Sequence, residues 1–221
     1  MNKIIKILGK RWLIKFNYNF KNDINYIKIV LKNITGCNKI IETWKIFYDK
    51  DKVRLDNPYF WNDILELHND WLWEDNINPL YLFLKCNINA IEWGEIFFVD
   101  IKKIIKEFSK EYFELKYEFF LFNNKIIESL FIKHPLDWSL CLNYTLYWVD
   151  KKWNSKFIKF IWKNKEENKK INSFLYNVLN SNKFFLDIKK WESIIFDNYR
   201  YLHWRNSFKW YRELERFLVY L

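Results

Sequence analysis

The side chains able to do chemistry are few and widely spaced. The 221 residues include 3 His, 3 Cys and 3 Gly. Neither G-x-x-x-x-G-K nor G-x-S-x-G occurs, so the phosphate cradle and the nucleophile elbow are both missing. No His lies in a triad-like motif. Four acids, Asp63, Glu66, Asp70 and Glu74, fall on a segment that reads as a helix to about Trp73, with Asn57 as N-cap and Pro58 in its first turn. At helical spacing they sweep around the axis, and no His-Glu pair is set for zinc. They read as a solvated acidic face or a surface for a basic neighbour. A nuclease built on the carboxylates of residues 50–118 is the enzymatic alternative. Cys37, Cys86 and Cys141 are an odd set without a C-x-x-C pair, which argues against a disulfide framework and a zinc ribbon. They read as buried free thiols and His134 as a surface residue, with a His134/Cys141 metal site as the alternative. The expectation is a non-enzyme with no cofactor, no metal and no small-molecule substrate.

Charge is the stronger signal. Residues 150–221 carry 16 Lys and Arg against 8 Asp and Glu, and residues 1–49 carry 10 against 3. Residues 50–149 are acidic, with 11 against 16. Basic ends around an acidic middle point to a polyanion, because Lys and Arg gain affinity for phosphates by releasing condensed counterions.

Composition bounds the class. Half the residues are apolar and 22% are aromatic, too many for a disordered chain. No run of 18 residues is free of charge, so no membrane span is expected. Phe, Tyr, Ile, Asn and Lys make up 120 residues, whereas Gly, Ala, Arg and Pro make up 13. That split follows AT-rich against GC-rich codons. The 13 Trp run against it unless UGA is read as Trp, as in many mitochondria and some wall-less bacteria. A mitochondrial protein encoded in the organelle genome is the expectation. No secretory signal is visible, and the basic N-terminus runs directly into a strand pattern.

Periodicity predicts an α+β chain, mainly α. Trp12, Ile14, Phe16, Tyr18 and Phe20 alternate as in a strand, and Tyr26 to Ile34 reads as its hairpin partner, giving a β-hairpin over 11–34. Glu42 to Tyr48 reads as a short helix. Pro79 to Cys86 and Ile91 to Val99 fit strand or buried helix equally. Ile101 to Phe120 reads as an amphipathic helix, with Ile101, Ile104, Ile105, Phe108, Tyr112 and Leu115 on one face. Further on, a helix over Phe157 to Ile161, a loop over 163–170, a helix over Ile171 to Leu179, ribbon strands at Leu186 to Lys189 and Tyr199 to Trp204, and a closing helix over Phe208 to Leu221 complete the pattern. The domain expectation is an extension over 1–149, with its hairpin and an acidic helical middle at 50–149, and a basic RNA-binding module over 150–221.

The last third resembles the small-subunit ribosomal protein family numbered seven, a head-domain rRNA binder. Asp150, Lys152, Trp153 and Ser155 match the family's Asp-Pro-Lys-Phe-Gly-Ser opening, with Lys151 in place of Pro and Asn154 in place of Gly. Lys156-Phe157-Ile158 matches Lys-Phe-Val, and Ser173-Phe174-Leu175-Tyr176 with Leu179 matches the end of the following helix. Leu186-Asp187-Ile188-Lys189 resembles Val-Glu-Val-Lys, and Arg216-Phe217-Leu218-Val219 resembles Arg-Trp-Ile-Val. The resemblance implies a structural constituent of the mitochondrial small subunit, with rRNA and other ribosomal proteins as partners. Lys156, Lys159, Lys163, Lys169, Lys170, Lys189 and Lys190 would contact phosphates. Arg200, Arg205, Arg212 and Arg216 would reach backbone or bases, and Tyr201 and Trp204 would stack. The alternative is a peripheral, matrix-side subunit of a respiratory complex or ATP synthase.

Overall fold

The structure, a computed structural model, describes residues 13–16, 23–43, 46–47, 65–70, 78–89, 92–93, 95–112, 119–122, 125–129, 131–142, 159–160, 163–206, 208–209 and 212–221. Two antiparallel sheets form its frame. In chain order their strands are β1 (Leu13–Phe16), β2 (Lys39–Glu42), β3 (Ile46–Phe47), β4 (Leu65–His68), β5 (Tyr81–Ile88), β6 (Ile96–Asp100), β7 (Lys183–Leu186), β8 (Ser193–Asp197), β9 (Tyr201–Arg205) and β10 (Glu213–Tyr220). The major sheet runs β1-β8-β5-β10-β2, with β3 also on β10, and the minor sheet runs β7-β6-β9-β4. Strands from before and after residue 150 alternate in both: β8 and β10 flank β5, and β7 and β9 flank β6.

Side chains alternate across each strand. On β5, Leu82, Leu84 and Cys86 face Ile96 and Phe98 of the minor sheet and, with Phe196 and Leu218 of their own sheet, form a core between the sheets. Tyr81 and Phe83 face outward onto helix α1 (Ile24–Thr35), packing with Ile27, Leu31 and Phe217. The outer face of the minor sheet is covered by α2 (Ile101–Glu111) and α3 (Lys165–Ser181), whose Ile104, Phe108, Ile171 and Leu175 pack on Val99 and Leu202. Full burial of each such side chain contributes about 1.5–3 kcal/mol.

The helices obey their end signals. Asp23 caps α1 by accepting from the N–H groups of Asn25 and Tyr26, and Gly36 closes it at φ 73°, where a Cβ would be strained. Asp100 caps α2. Asn164 and Glu167 form a capping box at α3. No described helix is long and apolar enough to cross a membrane.

The architecture is mainly β, which corrects the mainly-α expectation. The 11–34 hairpin is replaced by β1 and α1: Ile27, Leu31 and Ile34 face one core at helical spacing. Residues 65–68 are a strand where the acidic helix was expected, and Asn57 and Pro58 lie outside the described residues. Within Glu42 to Tyr48, β2 ends and β3 lies. The ambiguous stretches resolve as β5 and β6, together with a two-residue strand at Glu92–Trp93. The amphipathic helix forms but stops at Glu111, and Phe119–Phe122 is a strand. Lys159–Phe160 is a strand within the expected helix over Phe157 to Ile161, and α3 begins inside the expected loop, at Lys165. The first ribbon strand lies earlier than expected, at 183–186, and the closing helix is β10. The three cysteines are free and buried, as expected.

Candidate metal centre

His68 ends β4, and the register places it directly opposite His203 on β9. Directly opposed residues bring their Cβ atoms to about 4.5–5.5 Å, and here the imidazole centroids are 4.3 Å apart. A register shift follows between His203 and Arg205, a device that re-aims side chains beside functional sites. On β9 the inward face carries Tyr201, His203 and Arg205, while Leu202 and Trp204 face the helices. His203 packs edge-on to Phe196, at 4.9 Å between ring centroids, with Phe98 at 6.5 Å.

Asp70 follows His68 by two residues and returns to the same side. Its N–H donates to Asn198 Oδ1 at 2.9 Å, and its carbonyl accepts from Asn198 Nδ2 at 2.8 Å. Arg216 projects inward from β10. Its guanidinium donates to Asp70 Oδ2 at 3.0 Å and, through Nε, to Thr43 Oγ1 at 3.0 Å. The carboxylate is also 3.5 Å from His68 Nε2. One donor atom from each of His68, Asp70 and His203 lies within 4.8 Å of the others, and all three residues are buried.

The electrostatics suit a cation. Burial pushes the His203 imidazole down to about 3, reinforced by His68, so the ring is neutral. Burial alone would raise the Asp70 carboxyl, but Arg216 and His68 outweigh it and hold the group well below the usual carboxylate range. Two imidazoles and an ionised carboxylate are a donor set for a divalent transition metal, the 2-His-1-carboxylate facial triad. His203 Nδ1 is buried without a hydrogen-bond partner among the described residues, and a ring nitrogen so placed has a use if it meets a metal. The residues present therefore fit such an ion. A cavity of about 40 Å³ adjoins them, walled by Leu82, Leu84, Ile96 and Leu214, with Arg205 and Arg216 supplying positive charge.

No family model matches the sequence, and no curated protein matches it. Solved structures do match the fold. PvcB of Pseudomonas aeruginosa aligns with 99% of this chain and 79% of its own, at 12% identity and a TM-score of 0.70. A structure of PvcB described as an Fe, alpha-ketoglutarate dependent oxygenase from an isonitrile synthetic pathway gives 13% identity over the same shares and a TM-score of 0.71. AAD-2, solved with Mn(II) and N-oxalylglycine, gives 12% identity, 99% and 86% coverage and a TM-score of 0.68. This chain has the fold of those proteins. The likeness runs through nearly the whole sequence and overturns the ribosomal resemblance. With it go the small-subunit role, the rRNA and ribosomal-protein partners and the respiratory-complex alternative. The expectation of a non-enzyme without a small-molecule substrate is corrected with them: the second PvcB structure is described as an oxygenase, and so is asparagine oxygenase, which gives 13% identity, 80% and 54% coverage and a TM-score of 0.61.

The basic and aromatic residues singled out from sequence are scattered through this fold. Lys156 lies outside the described residues. Lys159 sits in the short strand paired with Phe119–Phe122, and Lys163 is half-buried ahead of α3. Lys169 and Lys170 are exposed on α3, and Lys189 and Lys190 are exposed after β7, Lys190 lying 5.0 Å over the Trp191 ring. Arg200 is buried against Asp197 and Asp137. Arg205 and Arg212 are buried, and Arg216 holds Asp70. Half-buried Tyr201 packs on Phe98, and Trp204 stacks on Phe97 at 4.8 Å. Among the described residues of this set, only Arg205, Arg216 and Trp204 border the cavity beside the candidate centre. His134 is buried, not on the surface: its Nε2 meets Asp197 Oδ2 at 2.9 Å and its Nδ1 accepts from the Leu136 N–H.

The three ligand candidates were missed, Asp70 having been counted as an acid on a helix. The signal was His68-Asn69-Asp70, an H-x-D step that converges on an extended segment and diverges on a helix, with His203 far downstream and Arg216 thirteen residues beyond it.

Proposed function

We propose that this chain is a non-haem Fe(II) oxygenase that uses a 2-oxo acid such as 2-oxoglutarate as co-substrate. The observation that carries the reading is the buried convergence of His68, Asp70 and His203 within 4.8 Å, in a fold shared with PvcB, described as an Fe, alpha-ketoglutarate dependent oxygenase. His68, Asp70 and His203 would hold the ion. Bound there with a 2-oxo acid, it would supply oxygen activation coupled to oxidative decarboxylation of that acid.

The remaining work belongs to the chain's own residues. Arg216 lines the same cavity and is the cation placed to take the far carboxylate of a diacid, for which a guanidinium offers paired donors. In the structure it is bound to Asp70, so a diacid would enter as the guanidinium turns from Asp70 to the incoming carboxylate. The cavity of about 40 Å³ has room for water-sized molecules, so entry of the diacid also requires its walls to part. Leu82, Leu84, Ile96 and Leu214 would keep bulk water from the reacting atoms. His203, neutral at physiological pH, would bind metal without first losing a proton.

The test is anaerobic addition of Fe(II) and then 2-oxoglutarate, followed by air. The expected result is a visible charge-transfer absorption before air and succinate after it, both absent from His203→Ala. Wild-type protein that shows neither would overturn the reading.

A further inference from the structure

Two of the three candidate ligands sit on paired strands, which fix each other. The third does not: Asp70 lies beyond the end of β4. Its carboxylate reaches the two imidazoles only if the 69–70 backbone is fixed relative to β9, and the buried Asn198 side chain makes that connection.

Asn198 stands in the turn between β8 and β9 and is 1% exposed. Its Oδ1 accepts from the Asp70 N–H at 2.9 Å, and its Nδ2 donates to the Asp70 carbonyl at 2.8 Å and the Pro79 carbonyl at 3.1 Å. The amide thus occupies both backbone groups of Asp70, as a strand partner would. Its own backbone is held too: Asn69 Nδ2 donates to the Asn198 carbonyl at 2.6 Å, and the Asn198 N–H donates to the Leu80 carbonyl at 3.0 Å. The turn is braced on its other side. Asp197 accepts from Arg200 Nε at 3.1 Å and meets His134 Nε2 at 2.9 Å, and its Oδ1 accepts from the Tyr199 N–H at 2.9 Å. Five residues after Asn198 the same chain presents His203.

We infer that Asn198 is a positioning residue for the metal centre: it locks the Asp70 backbone to the turn that leads into His203 and so sets the carboxylate's place relative to both imidazoles. The inference rests on the reading of His68, Asp70 and His203 as metal ligands. Groups that orient ligands without touching the ion typically govern affinity by about 10–100-fold.

The test uses Co(II) alone as probe, titrated into wild type, Asn198→Ala, Asn69→Ala and Asn168→Ala, with binding followed by visible absorption and unfolding by Tm. Asn168 is the structural control. It makes an analogous clamp, accepting from the Phe160 N–H at 2.7 Å and donating to the Lys163 carbonyl at 2.8 Å, but in α3 on the opposite face of the minor sheet. The expected result is affinity about 10–100-fold weaker in Asn198→Ala, a smaller loss in Asn69→Ala, and wild-type affinity in Asn168→Ala despite a lowered Tm. Wild-type affinity in Asn198→Ala, or an equal loss in Asn168→Ala, overturns the inference. If Asn198→Ala does not fold, Asn69→Ala decides, and unchanged affinity there overturns it. Wild type that binds no Co(II), or binds it equally well as His68→Ala, sinks the metal-site reading itself.

Discussion

Replacing Arg216 with Met removes a cation from a carboxylate that stays buried. Arg216 and Asp70 are 6% and 5% exposed and meet at 3.0 Å. Breaking one side of a buried ion pair costs about 3–5 kcal/mol, because the remaining charge keeps its desolvation penalty. Met fills much of the Arg stem, so little packing is lost, while the bond to Thr43 adds about 1 kcal/mol. A total near 4–6 kcal/mol in the metal-free protein lowers Tm by about 8–24 °C at this chain length. A divalent ion at Asp70 supplies the missing positive charge. In wild type it must compete with the guanidinium, whereas in Arg216→Met it does not, so the variant gains more from metal. At one hundred times Kd a ligand adds about 2.7 kcal/mol, and the tighter-binding variant passes that mark at lower concentration. The assay is thermal unfolding of both proteins across a Co(II) titration. The gap in Tm should be widest without metal and narrow as Co(II) rises. A constant gap, or a metal-free cost under about 1 kcal/mol, would refute Arg216 as the counter-ion of Asp70.

Phe98 stands fully buried between the sheets, 5.0 Å from Phe196 and beside His203. Phe98→Ala should cost about 3–5 kcal/mol in urea unfolding and weaken metal binding through a loosened His203. Asp137 is held well below the usual carboxylate range: its burial, which acts the other way, is outweighed by Ser139 and Arg200. Its contribution to stability is complete above the unfolded value near 4 and is lost as pH falls through the lower folded value. Asp137→Asn should therefore lower the urea midpoint at pH 7, with the difference closing in strong acid. Asn164→Ala breaks the capping box of α3 and should cost about 1 kcal/mol, leaving metal affinity unchanged.

Parts of this molecule were legible in the sequence. The amphipathic stripe of α2 is a surface helix, buried at Ile101, Ile104 and Phe108 and exposed at Lys102 and Lys103. The end signals of α1, Asp23 and Gly36, were also present, but Tyr26 to Ile34 is apolar enough to satisfy alternation as well. The larger errors share a physical cause. β10 is buried from Leu214 through Tyr220, so strand alternation disappears. Arg212 and Arg216 then suggested a helix, although positions four apart share a face on helix and strand alike. The acidic middle failed for a related reason: on a helix, His68 and Asp70 diverge, and on an extended segment they converge. The basic C-terminal residues misled because four of them, Arg200, Arg205, Arg212 and Arg216, are buried. A chain so rich in Lys, Ile, Phe and Asn matches many patterns by composition, whereas three histidines in 221 residues were the scarcer and better clue.

The account rests on His68, Asp70 and His203 binding one divalent ion together, and dialysis against Fe(II) under nitrogen followed by metal analysis measures that directly. Wild type should retain close to one ion per chain, and His68→Ala and His203→Ala should retain almost none while keeping the wild-type circular dichroism spectrum. An ion retained equally by all three proteins, or by none, would contradict it.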